Sequence, residues 1–141
     1  MTSRGTDRAT YSPEAADLLH QARKGLRESR RGTANERFAT AHLAALRTAA
    51  AVLAARGGPT RSPRGAVRIR TAWEVLPEVA PELSSWASLF SSHAIRRARA
   101  EAGVIGAAST REAQELLREA ETFLRVVERM LLIPTRGNLA A

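Results

Sequence analysis

Apolar and polar positions alternate with a helical period along most of the chain. Ala15, Leu18, Leu19, Ala22 and Leu26 recur at helical spacing and make one apolar stripe. Ser12 and Pro13 stand where the stripe begins, a side-chain acceptor followed by a residue whose missing N–H costs nothing in a first turn. Gly32 marks the stop, and Arg27, Arg30 and Arg31 complement the negative end of the helix dipole, so a first helix is expected over residues 13–30. Thr33 and Glu36 have the spacing of a capping box and open a second helix. It carries Phe38, Ala41, Ala45, Ala49 and Val52 on one face and ends at Gly57-Gly58-Pro59. Its small alanines let neighbouring helices approach closely, so it is expected to be the central and most buried element.

A shorter third helix is expected over 64–76, with Ala66, Ile69, Trp73 and Leu76 on one side and a stop at Pro77. Pro81 opens a fourth, which aligns Leu83, Trp86, Phe90 and Ala94 and ends on Arg96, Arg97 and Arg99 before Gly103. Ser109 and Glu112 form a second capping box for the last helix, whose stripe includes Ala113, Leu116, Leu117, Ala120 and Phe123 and which stops at Pro134. The pattern predicts one all-α domain over residues 12–133, an antiparallel four-helix up-and-down bundle with one additional short helix. Residues 1–11 are expected to be a disordered leader and 134–141 a flexible tail. Trp73 and Trp86 are expected to be buried, filling space that the alanine-rich helices leave.

Composition supports the helical reading and removes several chemistries. Of 141 residues 28 are alanine, against 7 valines and 4 isoleucines, a balance that favours helix over strand. The absence of cysteine excludes a disulfide scaffold, a thiolate metal site and a cysteine nucleophile. The chain has no Glu-x-x-His, no phosphate-binding glycine loop, no nucleophile elbow and no dinucleotide fingerprint. A small-molecule enzyme is therefore the least supported class, and no metal or cofactor is expected. The first ten residues contain no apolar core of a secretory signal. Ala39 to Ala55 is interrupted by His42 and Arg47 and is shorter than a span of about 20 residues, so a cytoplasmic protein without a membrane segment is expected.

Charge adds the strongest bulk signal. Lys and Arg number 22 against 14 Asp and Glu, a net charge of +8, and Lys24 is the single lysine. Guanidinium forks suit phosphates and carboxylates, which points to a polyanionic partner; the codon bias of a GC-rich genome would produce the same composition. From Arg56 to Arg70 the chain has five arginines and no acid. Arg61, Arg64, Arg68 and Arg70, with Arg96 and Arg97, are the expected contacts to the phosphates of RNA or DNA, against the plainer reading of a solvated basic face. The other candidate chemistry is the pair Arg37 and His42, about 140° apart around one helix. His42 as general acid or base and Arg37 as phosphate holder would cleave RNA without metal; the alternative is a satisfied core histidine beside Ala41 and Ala45. His93, near Arg96 and Arg97, is read as bordering the core, and His20, between Asp17 and Lys24, as solvated.

The segment Glu36-Arg37-Phe38-Ala39-Thr40-Ala41-His42-Leu43-Ala44-Ala45-Leu46-Arg47 resembles the opening core helix of the actinobacterial SAV_6107-like HEPN domains. Thr71 to Leu76, Pro81 to Trp86, and the closing helix from Arg111 through Phe123 follow in the same order, so the resemblance covers about residues 13–130. It implies a four-helix up-and-down bundle that tends to form a homodimer. It also implies one of two roles in nucleic-acid metabolism. Some HEPN domains are metal-independent RNases whose Arg-x4–6-His motifs meet in a dimer, a spacing that Arg37 and His42 match. Others are non-catalytic and bind nucleotides, nucleic acids or nucleic-acid-processing partners. Here the motif sits in an early helix, Phe38 follows the arginine, and the last helix has no histidine. The non-catalytic binder is therefore the leading expectation, with the RNase and a protein-binding adaptor as alternatives.

Overall fold

The structure, a computed structural model, describes residues 12–57 and 71–131. Helix α1 spans Pro13–Glu28, where Ser12 Oγ accepts the Ala15 N–H at 3.2 Å and Pro13 occupies the first turn. Helix α2 spans Ala34–Arg56. Thr33 and Glu36 exchange both capping-box bonds, at 3.1 and 2.8 Å, and Gly57 ends the helix in the left-handed region at φ 64°. Among the described residues beyond Gly57 come α3 (Ala72–Val79), a 3-10 turn (Pro81–Leu83), α4 (Ser84–Ser92), α5 (Ala94–Glu101) and α6 (Thr110–Met130). Every regular element among the described residues is helical, so the fold is all-α. The expected leader and tail lie outside the described residues, as does Pro134.

Two of the expected helices change. Helix α3 runs through Pro77 and does not stop there, and of the expected 64–76 span only the part from Thr71 onward is described. A Thr71–Glu74 capping box starts it, with bonds of 3.2 and 2.9 Å. Pro77 is the sixth of eight residues, so its missing N–H removes a single rung, and the Ala80 N–H still bonds the Leu76 carbonyl at 2.8 Å. The fourth helix divides into the 3-10 turn, α4 and α5, with His93 between the last two at φ −94° and ψ −2°. The Phe90 carbonyl accepts two donors there, the His93 N–H at 3.1 Å and the His42 ring nitrogen at 3.0 Å. A periodic pattern cannot display that side-chain bond, and the apolar stripe passes across the break without interruption.

Helix α2 is the centre of the molecule, packed by α1, α3, α5 and α6. Its length and composition would also allow it to cross a membrane, but more than half of its most apolar window is buried inside the protein. Ala41, Ala45, Ala49, Ala51 and Val52 are inaccessible, and Gly25 of α1 lies against Ala44. Small side chains at this seam bring the helix axes close, and larger residues fill the opposite side. Trp73 stacks on Phe90 with ring centres 5.2 Å apart, and Phe90 meets Phe123 of α6 at the same distance. Trp86 adds a contact to Phe123 at 5.4 Å, yet it is only partly buried, where full burial was expected. Such aromatic pairs contribute about 0.5–1.5 kcal/mol each beyond the area they bury.

Candidate functional surfaces

His42 lies at the meeting of α2, α3 and α4 and is 2% exposed. Its Nε2–H donates to the Phe90 carbonyl at 3.0 Å, which fixes the tautomer. Trp73 and Phe90 meet its ring edge-on at 6.0 and 6.4 Å. Burial lowers its pKa from the ordinary value, partly opposed by the Phe90 carbonyl, while the charge of Arg97 lowers it further. The ring is neutral at physiological pH and enclosed. Arg37 points elsewhere: its Nε–H donates to the carbonyl of Ser29 at 3.2 Å, satisfying a group at the end of α1. The fold therefore gives the two motif residues separate neighbours, as the 140° between them suggests.

The two described members of the expected phosphate-contact set lie on α5. Arg96 faces Glu112 of α6 at 3.3 Å, and Arg97 pairs with Glu101 one turn on at 2.7 Å. The backbone N–H of Ser109, with the charge of Arg96, holds the Glu112 carboxyl below the usual carboxylate range. Arg99, on the same helix, is exposed and has no carboxylate partner among the described residues. Arg61, Arg64, Arg68 and Arg70 lie outside the described residues. His93 borders the core as expected, edge-on to Phe38 at 5.7 Å and with Nε2 3.7 Å from Glu119, and His20 is exposed. No group of three or more His, Asp or Glu side chains among the described residues could hold a metal ion.

Two surfaces were not anticipated. The first surrounds the α5–α6 connection, where Ile95, Val104 and Ile105 are 70, 47 and 99% exposed. They border a cavity of about 410 Å³ with Ser92, Arg96 and Arg99 on its rim. The connection is fixed to the start of α2, because the Asn35 amide donates to Val104 O at 2.8 Å and accepts from Ala108 N at 3.0 Å. The second is a groove of about 500 Å³ between α1 and α6. Arg23 pairs with Glu128 across it, and Arg30 with Glu121 at 2.5 Å. A signal for these pairs was present in the sequence: the two arginines are seven residues apart, and so are the two glutamates.

The family model for SAV_6107-like HEPN domains matches residues 28–128. No curated protein and no solved structure matches the chain.

Proposed function

This chain belongs to the SAV_6107-like HEPN family, and on that premise we propose that it is a non-catalytic, cytoplasmic helical domain that binds nucleic acid through phosphate contacts and works as a homodimer. The observation that carries the non-catalytic part is the position of His42. A general base must reach the proton it moves, and this ring is enclosed by Trp73 and Phe90 with Nε2 already donating to a backbone carbonyl. Arginine in excess of carboxylates supports the binding part. Arg96 and Arg97 share their charge with Glu112 and Glu101, so their contribution is reduced. Arg99 is exposed and has no carboxylate partner among the described residues, Arg56 pairs with Glu82 at 3.0 Å, and the sequence from Arg56 to Arg70 contains no acid of its own.

Anisotropy of labelled single-stranded RNA and duplex DNA against salt tests the binding. Log affinity should fall linearly with log salt, and removing phosphate contacts should flatten the slope by about 0.7–0.9 per contact. A variant with Arg61, Arg64, Arg68 and Arg70 changed to Ala should show the larger flattening, and Arg96→Ala with Arg97→Ala the smaller. Unchanged affinity across both variants rejects the reading. RNA incubated with the protein in EDTA tests the nuclease alternative, which requires cleavage that His42→Ala abolishes. A second reading, a protein-binding adaptor, is favoured by the fixed apolar loop at Val104 and Ile105. This surface lies at the α5–α6 connection, away from the alanine-rich α2, which four other helices pack against.

A further inference from the structure

The groove between α1 and α6 has an unusual allocation of charge. Arg23 projects from α1, Arg30 from the turn that follows it, and Glu128 and Glu121 from α6, in an antiparallel order that makes two ion pairs. On α6 the two glutamates are two helical turns, about 10.5 Å, apart. The same order places Arg27 between the two pairs, opposite Leu124 and beside Arg125. Arg27 and Arg125 are both exposed, and neither has a carboxylate partner among the described residues. Arg125 reaches only the Thr122 hydroxyl, at 3.3 Å. Leu26 and Leu124, each 5% exposed, form the floor.

Both acids of the groove are thus committed. Glu128 is nearly buried and held by Arg23, and Glu121 is held by Arg30. Two positive charges remain in the space between, on opposite walls of a cavity of about 500 Å³. Like charges so placed repel, and a dianion between them would relieve the repulsion while satisfying two guanidinium forks. A phosphate monoester supplies that charge and three terminal oxygens, whereas a single diester phosphate supplies one charge. We propose that Arg27 and Arg125 form a binding site for a phosphomonoester, with the Arg23–Glu128 and Arg30–Glu121 pairs as positioning groups that keep the carboxylates out of it. The site uses different arginines from those proposed to contact nucleic acid and stands or falls separately.

Calorimetric titration of the full chain with inorganic phosphate tests the site. Saturable one-site binding is expected at pH 7.5 in low chloride, and it should weaken as pH falls below about 7 and inorganic phosphate takes up its second proton, since the monoanion carries half the charge. Arg27→Gln with Arg125→Gln should lose about tenfold or more in affinity. Arg111→Gln with Arg118→Gln removes two exposed arginines of α6 that do not line the groove and should keep it. Circular dichroism of each variant checks that the fold is retained. No saturable binding, equal losses in the two double variants, or full affinity in the groove variant would overturn the proposal. Comparison of 5′-phosphorylated with 5′-hydroxyl trinucleotides locates the source of the dianion. Tighter binding of the phosphorylated form supports the site and assigns it to a nucleic-acid end. Equal affinity of the two, with phosphate binding retained, supports it as a site for a small phosphate ester.

Discussion

His42 is the residue on which packing and protonation meet most directly. Its ring fills a space between Trp73 and Phe90 and ties α2 to the end of α4 through one hydrogen bond. His42→Ala should cost about 2–4 kcal/mol in urea unfolding, combining a cavity with the lost bond. Because its folded pKa is lowered, chiefly by burial, the unfolded chain binds the proton more readily than the folded one. The stability it contributes is complete above its ordinary pKa of about 6.5 and is lost as pH falls below that value toward the lower folded pKa. His42→Gln can keep an N–H donor toward Phe90 and does not titrate. The variant should therefore show a smaller fall in urea midpoint between pH 7.5 and pH 5 than the unmodified chain. Sequence reading could place this histidine near the apolar stripe, since Ala41 and Ala45 flank it. It could not supply Phe90 as the acceptor, which lies 48 positions away and is brought there by folding.

At the scale of elements, the caps were the most legible features because each is a local bond between residues three apart. Ser12, Thr33 with Glu36, and Ser109 with Glu112 all act at the positions their spacing implies. What escaped was one further cap of the same kind, Thr71 with Glu74, passed over because the helix was expected over 64–76, together with an overridden local preference at Pro77 and a long-range bond near His93. The rungs between α1 and α6 were missed for a related reason: only the docking of α1 brings Arg23 and Arg30 to Glu128 and Glu121. Two glycines provide an opposed pair of tests. Gly25 lies inside α1, and a Cβ there would meet Ala44 Cβ at 3.5 Å, an ordinary contact. Gly25→Ala should raise stability by roughly 0.5–1 kcal/mol, the helix-propensity difference. Gly32 has φ +95°, and a Cβ there would come within 2.6 Å of the Glu36 carboxylate that closes the α2 capping box. Gly32→Ala should lower stability by about 1–2 kcal/mol, from backbone strain and a weakened cap. Thermal or urea unfolding of the two variants should move in opposite directions.

For the molecule as a whole, the arrangement of exposed apolar surface bears on association. Among the described residues the core takes up most of the large apolar side chains, so Ile95 and Ile105 stand out at 70 and 99% exposure. Ile95 lies on α5, and Ile105 on the connection after it, whose backbone is fixed by the Asn35 side chain and by the bond from Val104 N to Arg99 O at 3.0 Å. A fixed loop loses little conformational freedom when a partner covers it, so its apolar groups can be buried at low entropic cost. On the proposed homodimeric reading this is the face best suited to the contact, with Arg96 and Arg99 at its edge. Ile95→Ser combined with Ile105→Ser should leave monomer stability within about 0.5 kcal/mol, since neither side chain is buried in the single chain. The same double variant should sediment as a monomer at concentrations where the unmodified chain sediments as a dimer. Asn35→Ala should weaken association by a different route, freeing the loop and raising amide exchange at Val104 and Ala108 while leaving the apolar side chains in place. If the unmodified chain is itself a monomer, the homodimeric part of the reading fails, and the adaptor reading takes this surface.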